Sequence, residues 1–200
     1  MVKTCSVEGC NGKHLAKGYC ANHYYQFKRN GYIPTRTRLD ANEIIDCIDH
    51  AEIVIYDKQN KEIARAIIDS EYIELIKDYK WHLSGEGYVT NNKVGSIHRF
   101  LMNPPYDLVV DHINGNKLDN RRCNLRICTQ HHNSMNHSVR KNNTSGVTGV
   151  TWYKGRNKWH ASIMINGKNK HLGYFNTLEE ATEARKQAEI DYYGEYRRVD

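Results

Sequence analysis

Two hundred residues, 39% of them hydrophobic, with a mean hydropathy of -0.78, argue against one large core and for one or two small domains. No apolar run approaches the roughly 20 residues that span a bilayer, and MVKTCSVEGC has no apolar leader. The expectation is therefore a cytoplasmic protein with no membrane partner, whose cysteines are reduced or metal-bound. The net charge of +6 is unevenly spread: residues 39–119 hold eight Lys/Arg and fifteen Asp/Glu, whereas 120–178 hold ten Lys/Arg and no acid, a pattern suited to a polyphosphate partner.

The chain opens with Cys5, Cys10, Cys20 and His23 in a C-x4-C-x9-C-x2-H spacing. Three thiols and an imidazole, closed by a short second pair, suit tetrahedral Zn²⁺. The segment around them has too few apolar residues to fold alone, and zinc binding of about 10–16 kcal/mol offsets that deficit. The expectation is a zinc knuckle over 1–33, with Lys13, Lys17, Lys28 and Arg29 near phosphate; His14 is the weaker ligand candidate. PTRTRLDANE, 34–43, reads as a linker. Residues 51–56 and 62–68 read as strands around a polar turn at 57–60. Residues 69–79 read as a helix with Tyr72, Leu75, Ile76 and Tyr79 on one stripe. This acidic half, with Trp81, reads as a scaffold for the segment beyond it.

Leu108-Val109-Val110 runs into Asp111-His112, and Asn114-Gly115 signals a tight turn. Asn124 comes next, then a strand over 125–129, then a helix starting near Gln130, N-capped by Thr129 and carrying Asn133. Each residue alone is an ordinary turn or cap former; the joint spacing is not. From Ile97-His98-Arg99-Phe100 through Asn136 the chain resembles HNH endonucleases, and their ββα-metal fold is the expectation for a nuclease core over 44–137. The resemblance implies that Asp111 and Asn133 hold one divalent ion, Mg²⁺ or Mn²⁺, since both offer hard oxygen. It implies that His112 is the general base and that Asn124 clamps the loop and steadies His112. Arg99, Arg121 and Arg122 are candidates for the scissile phosphate.

Residues 138–144 read as a basic linker. Beyond it, SGVTGVTWY, KWHASIMINGK and HLGYFNTLEEATEARKQAEI predict three strands and a helix, with a hairpin turn at Asn166-Gly167 and a capping box at Thr177 and Glu180. Ala181, Ala184 and Ala188 fall on the helix side that meets the sheet. Residues 145–197 resemble an AP2 DNA-binding domain. That resemblance puts Thr151, Tyr153, His160, Ser162, Met164, Asn169 and His171 on a sheet face toward the DNA major groove. Arg156, Lys158, Lys168 and Lys170 fall at its turns and edges.

The whole reads as a modular α+β protein: zinc knuckle, nuclease core, DNA-binding sheet. The implied function is site-directed cleavage of double-stranded DNA by a homing-type HNH endonuclease. One catalytic constellation per chain implies that a monomer nicks one strand, and removal of residues 145–200 is expected to leave slow nicking. The alternatives are a non-catalytic AP2-type regulator and an HNH nuclease acting on RNA or branched DNA.

Overall fold

The computed structural model describes residues 4–8, 10–33, 40–136, 139 and 142–198. The chain divides into two compact units, one of 1–40 with 57–61, the other of 41–56 with 62–200. Among the described residues no helix is long and apolar enough to cross a membrane.

In the first unit β1 (His14–Ala16) pairs antiparallel with β2 (Tyr19–Cys20), which leads into α1 (Ala21–Asn30). Gly31 ends α1 in the left-handed region, its N–H bonding Phe27 O at 2.8 Å. Gly12 has no room for a side chain: an added Cβ would lie 2.8 Å from the Cys20 Cβ.

The second unit begins with a meander of β3 (Ile44–Asp46), β4 (Ala51–Tyr56) and β5 (Glu62–Ile68), all antiparallel. β4 and β5 have the expected bounds. The linker expected over 34–43 lies outside the described residues up to 39. Its end does not behave as a linker: Asn42 is buried, donating to Val54 O and Trp81 O and accepting from Trp81 N at 2.7 Å. The long helix expected over 69–79 is instead a 3-10 turn, Ser70–Tyr72, running into α2 (Ile73–Ile76). Ile76 is fully buried but Leu75 is exposed, so the apolar stripe does not stay on one side of a helix. The helix stops because Tyr79 N closes a turn on Ile76 O, and the Trp81 indole N–H takes the same carbonyl.

Short strands β6 (His82–Leu83), β7 (Val89–Asn91) and β8 (Gly95–Ser96) form a second antiparallel sheet and deliver α3 (Ile97–Met102). Ile53, Ile55, Ile68, Ile76, Trp81, Val89 and Ile97 form one buried cluster, with Tyr79, Phe100 and Leu118 packed against it. Each such aliphatic side chain contributes about 1.5–3 kcal/mol on burial. The cluster uses both strand and helix faces of the acidic half.

β9 (Val109–His112) pairs antiparallel with β10 (Leu125–Cys128), and α4 (Gln130–Asn133) comes after it, N-capped by the Thr129 hydroxyl accepting from His132 N. The loop 113–124 between the strands is tied to the scaffold: Ile67 N donates to Leu118 O and Asn120 N to Ile67 O, both at 2.7 Å. Of the linker expected over 138–144, residues 138, 140 and 141 lie outside the described residues. Last come β11 (Val150–Tyr153), β12 (Lys158–Ile165) and β13 (Lys168–Phe175), a three-stranded antiparallel sheet, and α5 (Leu178–Tyr193). The Thr177–Glu180 capping box and the positive φ values of Asn166 and Gly167 are both present. Ala161 and Ile163 of β12 are fully buried, with Ala181 and Ala188 of α5 in the same clusters. Gly149 is required: with φ at 77°, a Cβ there would stand 2.4 Å from Ser162 O.

Candidate active site and nucleic-acid face

Asp111 and His112 end β9 and are both buried. β10 covers them from the side, with Arg126 opposite Asp111 and Leu125 opposite His112. The His112 Nε2 lies 3.1 Å from Asn120 Oδ1. Asn120 is fully buried and its amide nitrogen donates to Lys117 O and Leu118 O, which turns its oxygen toward the imidazole. An acceptor at Nε2 places the ring proton there and leaves the lone pair on Nδ1. Burial lowers the His112 pKa below the ordinary histidine value, opposed by the Asn120 bond and the charges of Asp111 and Asp119. A pKa below the ordinary histidine value leaves the ring neutral at pH 7.

Asn124 does not touch the His112 ring. Its Oδ1 accepts from Asn114 N at 3.0 Å and its amide donates to Asp119 O at 2.8 Å, while its carbonyl accepts from Ile113 N. It spans the loop as expected, and its hold on His112 runs through the loop that carries Asn120. Behind His112 sits His98 of α3, ring centroids 5.0 Å apart and edge-on, with Tyr88 5.2 Å from His98. Burial, then the charges of His112 and Arg99, bring His98 to about 3, and its Nδ1 is buried without a hydrogen-bond partner.

The Asp111 carboxylate is engaged unevenly. Oδ2 accepts from Arg126 Nε at 2.9 Å and Nη2 at 2.6 Å, and from Asn136 Nδ2 at 3.1 Å; Oδ1 accepts only from Asn136, at 3.2 Å. Asn133 lies on α4, which packs against β9, but no hydrogen bond joins it to Asp111, and among the described residues its side-chain amide bonds nothing. Oδ1 of Asp111 therefore carries one hydrogen bond against three on Oδ2, and the Asn133 carboxamide has none among the described residues; both are hard oxygen donors of the kind Mg²⁺ or Mn²⁺ takes.

The three arginines expected near the scissile phosphate have other partners. Arg99 donates to Leu108 O. Arg121 forks onto Asp119, two bonds at 2.8 Å, and its guanidinium holds that carboxyl below the usual range. The Arg122 side chain reaches the Tyr72 hydroxyl, and its backbone N–H meets Asp69. The arginine on the Asp111 carboxylate is Arg126. Sequence reasoning missed Asn120, Arg126, Asn136 and His98; the one available signal was the opposite charge of Arg126, which reads as a cross-strand partner only once the register is known.

In the first unit Cys5, Cys10, Cys20 and His23 converge, their ligand atoms all within 4.8 Å of one another. Cys5 Sγ is 3.2 Å from His23 Nδ1, and Cys10 Sγ is 3.9 Å from Cys20 Sγ. Burial pushes the Cys5 thiol up, but bonds from the Cys20 and Val7 backbone and from His23 and Cys10 outweigh it and bring it to about 6. That favours the thiolate a metal needs. His14 turns elsewhere, its Nε2 accepting from Gly18 N. The donor set fits tetrahedral Zn²⁺.

The open side of the β11–β13 sheet carries a cluster of rings. His160 Nε2 and His171 Nδ1 are 2.9 Å apart with their rings stacked, Tyr174 packs on both, Tyr153 lies 5.4 Å from Tyr174, and the Arg156 guanidinium sits 4.6 Å from its ring. Thr151 is paired with His160 across the strands, and Ser162, Met164 and Asn169 continue along them. Lys158 stands opposite Tyr153, and Lys168 flanks the Asn166-Gly167 turn. Lys170 departs from the expected edge position. It turns to α5, where its ammonium bonds the Tyr192 hydroxyl and lies over that ring, because the alternation of β13 puts it opposite Asn169 and His171.

A family model described as HNH endonuclease matches residues 102–135. An uncharacterized HNH endonuclease of Acanthamoeba polyphaga mimivirus is 30% identical over 139 residues, 66% of this chain and 72% of that protein. Protein 3.8 of Escherichia phage T7 is 36% identical over 75 residues, 38% of this chain and 62% of that protein. No solved structure matches.

Proposed function

The chain belongs to the HNH endonuclease family, and from that premise we propose that it is a homing-type endonuclease that hydrolyses phosphodiester bonds of double-stranded DNA. The observation that carries this reading is the buried Asp111–His112 pair, with Asn120 leaving the histidine lone pair on Nδ1. A non-catalytic regulator has no use for a neutral, buried imidazole beside a carboxylate.

Asp111 and Asn133 would hold Mg²⁺ or Mn²⁺, which when bound stabilises charge on the phosphorane and the leaving 3′ oxygen. The protein's own part is proton handling and placement. His112 Nδ1 takes the proton of the attacking water, and its depressed pKa keeps it ready to do so at neutral pH. Asn120 fixes the ring, and Asn124 fixes the loop that carries Asn120. The AP2-like face of β11–β13, with Tyr153, Arg156, His160 and His171, binds the duplex and sets the target. Cys5, Cys10, Cys20 and His23 hold a structural Zn²⁺.

The test is Mg²⁺-dependent nicking of supercoiled plasmid. His112→Ala should lower the rate by about 10²–10⁴, the usual value of a general base, with DNA affinity retained. Cleavage near the wild-type rate by this variant would overturn the assignment. Duplex, single-stranded and branched substrates compared side by side identify the preferred nucleic acid.

A further inference from the structure

Arg126 faces two ways. On β10 it forks onto Asp111 Oδ2 through Nε and Nη2, and its other donors leave the hairpin altogether. Nη1 donates to Glu195 O, Nη2 also meets Tyr196 O at 3.4 Å, and the Tyr196 ring lies 5.0 Å from the guanidinium carbon. Four of the five N–H groups of this guanidinium are thereby directed, two at a carboxylate and two at backbone carbonyls. The Tyr196 ring stacks on His132 of α4, with centroids 4.0 Å apart and planes at 14°. The Arg198 guanidinium lies beside Gly115 in the loop after His112. The 3-10 turn Gly194–Tyr196, sequentially the end of the sheet-and-helix segment, is therefore built against the nuclease hairpin.

We propose that this C-terminal turn completes the nuclease site: by gripping Arg126 it fixes the orientation of the Asp111 carboxylate, which makes Arg126 a positioning residue. The inference rests on the reading of Asp111 as a metal ligand. Arg126 saturates Oδ2, so Oδ1 is the oxygen presented to a cation. The fork onto Asp111 restrains one edge of the guanidinium, and the two carbonyls and the ring of the turn restrain the other. Ligand placement is worth a great deal in rate, since an error of about 1 Å costs about 10²-fold. A fragment ending before the last sheet therefore lacks part of its cutting apparatus, and the slow nicking expected on removal of 145–200 should fall well below that of the intact protein.

The experiment uses full-length, zinc-loaded protein and three variants: Arg126→Gln, Tyr196→Ala and Tyr196→Phe. Three quantities are read: single-turnover plasmid cleavage, DNA affinity, and binding of Mn²⁺ alone followed by electron paramagnetic resonance. Tyr196→Ala should cleave about tenfold more slowly with DNA affinity unchanged, and Tyr196→Phe should restore the rate, because it keeps the ring against Arg126 and His132 that Ala removes. Arg126→Gln should cleave about 10²-fold more slowly while binding Mn²⁺ at least as tightly, because a cation that repels the metal is gone. General unfolding would weaken both together. Wild-type cleavage by Tyr196→Ala, no recovery in Tyr196→Phe, or parallel loss of Mn²⁺ binding and cleavage in Arg126→Gln overturns the proposal while the nuclease reading stands. No cleavage by the intact chain overturns the nuclease reading, and this inference falls with it.

Discussion

Two imidazoles 5.0 Å apart, His112 and His98, are both held neutral by burial, but they differ in what surrounds them. His112 has Asn120 at one nitrogen; His98 has the Ser96 hydroxyl at 3.4 Å from Nε2 and nothing at Nδ1. For His98 the consequence is a pH-dependent stability. Its folded pKa of about 3 lies below its unfolded value near 6.5, so the unfolded chain binds the proton first. Stability is full above the unfolded value and falls as the pH drops from there toward 3. Between pH 7 and pH 5 the loss from this residue is about 2 kcal/mol. His98→Phe keeps a ring against Tyr88 without the titration, so urea unfolding at the two pH values should show a correspondingly smaller loss. Identical losses in both proteins would show that His98 is not the buried base it is taken for. Residues of this kind are poorly legible in sequence. Asp111, His112 and Asn124 stand out through their spacing. Asn120, Asn136 and Arg126 do not, because their partners are set by a twelve-residue loop and a strand register that no local pattern encodes.

At the scale of elements, the hairpin of β9 and β10 depends on how loop 113–124 is closed. Asn124 is the staple: its side chain accepts from Asn114 N and donates to Asp119 O, and Asp119 is in turn forked by Arg121. Ile67 ties the same loop to β5 through both its N–H and its carbonyl. Asn124→Ala would leave the part-buried Asn114 N–H and the buried Asp119 carbonyl without these partners, each worth up to about 1–3 kcal/mol. The variant should lose about 2–6 kcal/mol in urea unfolding, toward the lower end because one of the two bonds is only part-buried. Leu125→Val, which trims the same hairpin without touching the staple, serves as the comparison and should lose less. Equal losses would argue that packing, not the amide, closes the loop. The strands themselves were legible because period-two alternation is enforced by burial on one face, as in Ala161 and Ile163 against His160 and Ser162. The helix expected over 69–79 was not, because Leu75 and Tyr79 complete a helical stripe by composition while the chain turns at Ile76 to cover Trp81. A tertiary contact overrides a local pattern there.

At the scale of the molecule, the two compact units are stabilised by different physics. The larger one has three buried apolar clusters. The smaller one has no such cluster among the described residues: α1 has no buried residue, and of its elements only Cys20 on β2 is buried. Two two- or three-residue strands and a ten-residue helix are below what propensity alone sustains, since isolated helices under about 12–15 residues are marginal in water. Cys5, Cys10, Cys20 and His23, with ligand atoms within 4.8 Å of one another, are where a metal would tie this unit together, and Zn²⁺ binding at such a site is worth about 10–16 kcal/mol. Elemental analysis should therefore find one zinc per chain. Stripping it with a strong chelator should abolish the dispersed amide resonances of Cys5 to Asn30 while those of β4, β5 and α5 stay in place. Cys20→Ser should reproduce the stripped spectrum, and added Zn²⁺ should restore the wild-type protein but not the variant. A metal-free first unit that keeps its dispersed resonances would show that the cysteines pack as small apolar side chains and that the order of this unit comes from elsewhere.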